Sequence, residues 1–277
     1  MNSLNCNGHI LNLEIPKVMG ILNVTPDSFF DGGKFFDLDL AIERVGQMIE
    51  EGASIIDIGG MSSRPGAEVI NIEEEAQRVL PVIKRVKQTY PDAIMSIDSV
   101  HSEIAQKAID EGASIINDIS GGMIDNRIWE VASKNNVPYI LMHMKGIPST
   151  MQLNPEYEDV VLDILKYLRD MVYKLRSQGI KDIVIDPGFG FGKTVQQNYD
   201  LLGGLASLRI LDCPILVGLS RKSMICKLLG NTPNDALNGT TAAHMIALQN
   251  GAKILRVHDV KQASECIKIY QQMKKKN

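Results

Sequence analysis

The sequence has few cysteines and no pattern among them. Cys6, Cys213, Cys226 and Cys266 form no Cys-x-x-Cys pair and share no regular spacing, so neither a structural zinc site nor a disulfide framework is expected. It also lacks a run apolar enough to span a membrane. Its longest uncharged stretch, Ala236 to Ala252, is broken by Asn, Thr, His and Gln, and no membrane association is expected. There is no basic excess: 29 Lys and Arg against 33 Asp and Glu give a net charge of −4. That argues against nucleic acid as a partner and requires any anionic ligand to be held by a local cluster. The opening residues, MNSLNCNGHILNLEIP, show no basic segment followed by an apolar one, so no secretory leader is expected and the expected compartment is the cytoplasm.

What is present is ordinary globular material, 44% hydrophobic and 22% charged, enough for one large core and too apolar for disorder. A length of 277 residues fits two average domains or one α/β barrel of ~250 residues. Periodicity decides between them. Eight short, β-branched runs recur at 18–23, 54–59, 94–98, 114–118, 137–143, 182–186, 214–219 and 253–258. Amphipathic stretches separate them, as with Leu38, Ile42, Val45 and Ile49 between a candidate N-cap at Asp37 and a helix-stopping Gly52. Eight alternating βα units predict an α/β fold of the (β/α)8 TIM-barrel type, one domain over residues 1–277, with a short strand or hairpin near 10–15 covering the barrel floor.

An internal echo supports repeated units. EEGASIIDI (50–58), DEGASIIND (110–118) and QNGAKILRV (249–257) each place a helix-ending Gly five positions before a polar strand residue, Asp57, Asn117 and Arg256. The glycine is a structural device. A polar residue at the C-terminal end of a barrel strand lies where such barrels assemble their sites. The other strand ends add Asn23, Asp98, His143, Asp186, Lys222 and His258. Helix capping is the competing role for such residues; it is assigned to Asp118, Asp259 and Ser99, and does not suit Arg64, Lys222 or Arg256. Residues 188–194, GFGFGKT, look like a phosphate loop, but Pro187 sits where that pattern needs Gly, and the dinucleotide spacing also fails.

Taken together, MGILNVTPDSFFDGG (19–33), DIGGMSSRPGA (57–67), SIDS (96–99), IINDISGG (115–122), LMHMKGIPSTMQ (141–152), IDPGFGFGKT (185–194), GLSRKSMI (218–225) and ILRVHDV (254–260) resemble the dihydropteroate synthases. The resemblance runs in order from residue 18 to residue 260. It implies a folate-pathway transferase that joins a dihydropterin methyl diphosphate to 4-aminobenzoate, as a homodimer with magnesium. By the same resemblance Asp98, Asn117, Asp186 and Lys222 bind the pterin, with Met142, Phe191 and Gly218 as walls. A pterin edge of N–H donors suits carboxylate acceptors, and Asn117 matches a position that both donates and accepts. Asn23, Ser63, Arg64, Arg256 and His258 are expected at the diphosphate, Asn23 also at the Mg2+. Phe29, Asp31, Ser63, Arg64, Pro65, Ser220 and Lys222 are expected around 4-aminobenzoate.

Four positions depart from the family pattern: Met61 and Ser63 stand for Glu and Thr, Lys145 and Ile147 for Gln and Thr. Two rival readings are a pterin-dependent methyltransferase acting on a corrinoid protein and a non-catalytic pterin-binding barrel. The first has no need of SRKS and RVHDV, and the second predicts lost charges at the strand ends.

Overall fold

A computed structural model describes residues 3–25, 38–61, 71–146 and 155–275. Each of the eight β-branched runs becomes a strand: β3 (Lys17–Asn23), β4 (Ile55–Gly59), β5 (Met95–Asp98), β6 (Ile115–Asp118), β7 (Tyr139–Met142), β8 (Ile183–Asp186), β9 (Ile215–Val217) and β10 (Ala252–Val257). They close into one parallel barrel, in the order β10-β3-β4-β5-β6-β7-β8-β9. Six of the expected strands begin one or two residues later than predicted; of these, β7 and β9 start just after Pro138 and Pro214, because proline has no N–H to give to a ladder.

Between the strands run α1 (Leu38–Glu50), α2 (Ile72–Thr89), α3 (Ser102–Asp110), α4 (Ile128–Asn135), α5 (Val160–Ser177), α6 (Val195–Gly204), α7 (Ser223–Leu229) and α8 (Leu237–Gln249), and α9 (Val260–Lys274) follows the last strand. On α1 the expected stripe faces inward, with Ile42 and Val45 buried and Leu38 and Ile49 packed against the core. The cap proposed at Asp37 lies outside the described residues. The three echo glycines, Gly52, Gly112 and Gly251, have φ of +102°, +116° and +103°, the backbone that stops each helix and turns it into the next strand.

Of the strand or hairpin expected near residues 10–15, the structure shows the hairpin, beginning earlier in the chain. Ser3–Cys6 (β1) pairs antiparallel with His9–Asn12 (β2), and the turn is Asn7-Gly8, both at positive φ, which suits the twist of a two-residue hairpin. Leu4, Cys6, Leu11 and Leu13 are buried against Met19, Ile55, Ile115, Ile140, Val184, Leu216 and Ile254, the inward-facing residues at the start of the strands. The hairpin therefore closes the barrel floor. All four cysteines are buried and free, and no helix among the described residues is long and apolar enough to cross a membrane.

Candidate active site

Strand alternation builds the site from the floor upward. Two residues beyond each apolar floor residue, the same inward face carries Asp57 after Ile55, Asn117 after Ile115, Met142 after Ile140, Asp186 after Val184, Gly218 after Leu216 and Arg256 after Ile254. Register links them around the mouth: Asn23 pairs with Gly59, Gly59 with Asp98, and Asp98 with Asn117. Met142 pairs with Asp186 on the far side. Gly59 leaves room in this row, since a Cβ there would stand 3.2 Å from that of Asp98.

Arg256 organises the charges. Its Nε donates to Asp57 Oδ2 at 2.6 Å and its Nη2 to Asp98 Oδ2 at 2.6 Å. Asn117 Nδ2 donates to the same Asp57 oxygen at 3.1 Å, and Asp57 Oδ1 is buried without a hydrogen-bond partner among the described residues. Burial pushes Asp98 up to about 7 against the pull of Arg256, with Asp57 adding to the rise. Burial likewise raises Asp186, although the Gly188 N–H donates to it at 2.7 Å. Asp57, Asp98 and Asp186 stand against Arg256, Lys222 and, acting on Asp186, Lys193, so the mouth sets fixed carboxylates beside fixed cations.

A small pocket open to solvent is lined by Asn117, Met142, Asp186, Phe191, Gly218 and Lys222, with Ile119, Phe189 and Arg256. Six of the seven residues expected around a pterin thus share one wall system, and Asp98 joins it through Arg256. Arg256, expected at the diphosphate, and Asp98, expected at the pterin, are hydrogen-bonded to each other, so the two subsites expected from sequence meet at this pair. Lys222 Nζ lies 4.2 Å from the centre of the Phe191 ring, and burial lowers it to about 8 while Asp186 opposes the fall.

At the neighbouring strand ends, Ser220 Oγ meets His258 Nδ1 at 3.1 Å and accepts from the His258 N–H at 3.2 Å. Ser220, expected at 4-aminobenzoate, is therefore held by a residue expected at the diphosphate. Arg221 grips Asp259 through two hydrogen bonds of 2.9 and 2.7 Å. This corrects the capping role: Asp259 occupies the N-cap position just before α9 but its side chain makes no capping bond, because its carboxylate is taken. Asp118 is also no helix cap. It accepts from the N–H groups of Ser120 and Gly122 and from the Tyr139 hydroxyl, each at 2.7 Å, and so closes the turn after β6, well before α4 begins at Ile128. Ser99 Oγ accepts from the His101 N–H at 3.2 Å, just ahead of α3.

Phe29, Asp31, Ser63, Arg64 and Pro65, and Ile147 among the departures, lie outside the described residues. Met61 is described and packs beside Val100, Ile119, Met142, Met144 and Phe191. Two residues escaped assignment from sequence. Asp57 was legible in the Gly-to-polar echo, where it matches Asn117 and Arg256. Lys193 was set aside with the phosphate-loop reading. It is buried, with its Nζ 2.7 Å from the Gly188 carbonyl, 2.9 Å from the Phe191 carbonyl and 3.2 Å from His143 Nδ1.

Comparison with known proteins bears directly on this mouth. A family profile described as pterin binding enzyme matches residues 19–258. The chain is 46% identical to a dihydropteroate synthase of Haemophilus influenzae over 97% of its own length and 98% of the relative's. It superposes with a TM-score of 0.92 on the Xanthomonas albilineans dihydropteroate synthase solved with 4-aminobenzoic acid, at 39% identity, covering 100% of this chain and 99% of the other. The same enzyme solved with 7,8-dihydropteroate gives a TM-score of 0.89 at 37% identity, covering 99% of this chain and 100% of the other.

Proposed function

The chain belongs to the dihydropteroate synthases within the pterin binding enzymes, and from that premise we infer which of its residues carry the reaction. The reaction joins (7,8-dihydropterin-6-yl)methyl diphosphate to 4-aminobenzoate and releases diphosphate and 7,8-dihydropteroate. The arylamine nitrogen forms the new bond to the methylene carbon, the carbon–oxygen bond to diphosphate breaks with its electron pair leaving on oxygen, and the amine gives up one proton. No side-chain nucleophile is needed.

The observation that carries this reading is the buried charge network Asp57–Arg256–Asp98, hydrogen-bonded to Asn117, beside a pocket that also holds Asp186 and Lys222. The carboxylates accept from the N–H edge of the pterin, and the orphaned Asp57 oxygen is a further acceptor there. Departure of diphosphate leaves positive charge on the electron-rich dihydropterin, and the carboxylates of Asp98 and Asp186, fixed in place beforehand, stabilise it without reorganisation. Asn23, Arg256 and His258, at the ends of the adjacent strands β3 and β10, are proposed to receive the diphosphate with Ser63 and Arg64. The 4-aminobenzoate pocket is proposed to comprise Phe29, Asp31, Ser63, Arg64, Pro65, Ser220 and Lys222.

Magnesium fits this donor set. Among the described residues no group of three His, Cys, Asp or Glu is placed to hold a metal, and Mg2+ needs no such cage, since it keeps several waters and takes one or two protein oxygens plus substrate phosphates. Asn23 would supply the protein oxygen, and the ion would neutralise charge on the departing diphosphate. We further propose a cytoplasmic homodimer built of one domain over residues 1–277. Incubation with the pterin diphosphate, 4-aminobenzoate and magnesium tests the function: dihydropteroate should accumulate with one equivalent of diphosphate, and diphosphate release without 4-aminobenzoate incorporation would overturn the reading.

A further inference from the structure

The segment after β8, Asp186-Pro-Gly-Phe-Gly-Phe-Gly-Lys193, forms one side of the pocket and has an unusual backbone. Gly188, Gly190 and Gly192 have φ of +70°, +82° and +61°, so alternate residues take a left-handed conformation that favours glycine. The turn also runs hard against the end of β7. A Cβ on Gly188 would lie 1.9 Å from the His143 carbonyl oxygen. Such a path has no regular ladder to satisfy its carbonyls, and buried carbonyls must find donors.

Lys193 supplies them. Its side chain turns back over its own loop, only 3% of the residue is exposed, and the Nζ is shared between the Gly188 carbonyl, the Phe191 carbonyl and His143 Nδ1. The residues tied together are the ones that shape the pocket. The Gly188 N–H donates to Asp186 Oδ1 at 2.7 Å, and Phe191 is the ring on which Lys222 rests. His143 is fixed in turn: its ring stands edge-on to Tyr167 with centroids 4.9 Å apart and tilted against Tyr157 at 6.2 Å. Tyr157 donates to the Gly192 carbonyl at 2.9 Å.

We propose that Lys193 is a positioning residue for the pterin, the cross-link that holds the 186–193 turn so that Asp186 and Phe191 present themselves to the pocket, with His143 as its side-chain partner. This deepens the assignment of Asp186 and Phe191 to the pterin and rests on it. The groups facing Lys193 agree with the role. Burial lowers His143 to about 3, with Lys193 itself the next cause, so the imidazole stays neutral at working pH and its Nδ1 is free to accept. Asp186 holds the lysine's charge up while burial and Lys222 press it down, to about 7. Whether charged or neutral, the amine keeps hydrogens for both carbonyls.

The test is calorimetric titration of the full-length protein with a pterin and, separately, with magnesium diphosphate, alongside turnover. Lys193→Met keeps length and removes the donors. It should weaken pterin binding by roughly tenfold, the scale of one charged hydrogen bond, while diphosphate affinity stays within about twofold of wild type. Lys193→Gln, whose amide still donates, should recover part of the loss. A purely packing role would lower the melting temperature of both variants alike and leave pterin affinity unchanged, and that result overturns the proposal. If Lys193→Met does not accumulate as folded protein, His143→Leu and His143→Gln replace it. Weakened pterin binding in the leucine variant alone supports the cross-link, and equal affinities in the two overturn it. Failure of the wild-type protein to make dihydropteroate would instead strike the functional reading beneath.

Discussion

The floor and the mouth of this barrel lie two residues apart on the same strands and obey different rules. At the floor Ile55, Ile115, Ile140, Val184, Leu216 and Ile254 meet the hairpin residues Leu4, Cys6, Leu11 and Leu13. Any apolar residue of similar volume serves there, because burial is non-directional and shape tolerances are loose. At the mouth the same strands present Asp57, Asn117, Met142, Asp186, Gly218 and Arg256. Each polar atom there has few acceptable partners, and one, Asp57 Oδ1, has none in the described residues. An unpaired buried acceptor costs stability unless a ligand satisfies it. The floor is thus where the fold is secured, and the mouth is where stability is given up for binding.

The strongest way to break this contrast is to mutate one strand at both levels. Arg256→Met strands Asp57 and Asp98 as buried carboxylates, so it should cost about 3–5 kcal/mol of stability and on the order of 100-fold or more in turnover. Ile254→Val, two residues earlier, should cost about 0.5–1.5 kcal/mol and leave kcat/KM of the folded protein unchanged. Urea melts with steady-state assays on both variants measure this. The contrast is wrong if the valine variant loses turnover in proportion to the arginine variant.

A smaller effect sharpens the distinction between residues on strand ends and those in the connecting segments. Ser63 and Arg64 are proposed for both the diphosphate and the 4-aminobenzoate subsites. A side chain fixed by the first ligand need not be fixed again for the second, so the two should bind with positive coupling, and the coupling must be reciprocal. A sulfonamide analogue of 4-aminobenzoate should bind about 5–150-fold more tightly in the presence of magnesium diphosphate. Equal affinities with and without diphosphate would mean an arylamine pocket made independently of it.

How much of this was legible in sequence follows the same division. The eight strands and the floor hairpin could be read because periodicity and Gly-ended helices are local signals, and the left-handed backbone at Gly52, Gly112 and Gly251 is their physical counterpart. Asp98, Asn117, Asp186 and Lys222 stand out in sequence through their motifs. Their partners did not. That Arg256 bridges Asp57 and Asp98 is a fact about side chains 199 and 158 positions apart, which no spacing reveals. Asp259 looked like a cap because its position is a capping position, and only the fold brings Arg221 to it. Lys193 was hidden for the opposite reason: its partners are close in sequence, but the turn that folds back on it has no regular period to read.

The subtlest prediction turns on protons. Asp98 is pushed up to about 7, chiefly by burial, whereas an unfolded aspartate titrates near ~3.9. The folded protein therefore binds more protons than the unfolded chain across that interval, and this contribution to stability is present at acid pH and lost as pH rises toward about 7. Asp98→Asn removes the titrating group while keeping an oxygen that can accept from Arg256. Its stability relative to wild type should improve between about pH 5 and pH 8, by on the order of 1 kcal/mol, or a relative gain of about 2–4 °C in melting temperature for a chain of this size. Thermal melts of both proteins over that range give the difference directly. The same substitution on the floor has no counterpart, since its side chains are apolar apart from Cys6, whose thiol burial pushes up to about 12: Ile140→Val should run parallel to wild type between about pH 5 and pH 8. Parallel curves for Asp98→Asn as well would mean that Arg256 cancels the burial of Asp98 completely, and the mouth would then cost the fold nothing at that position.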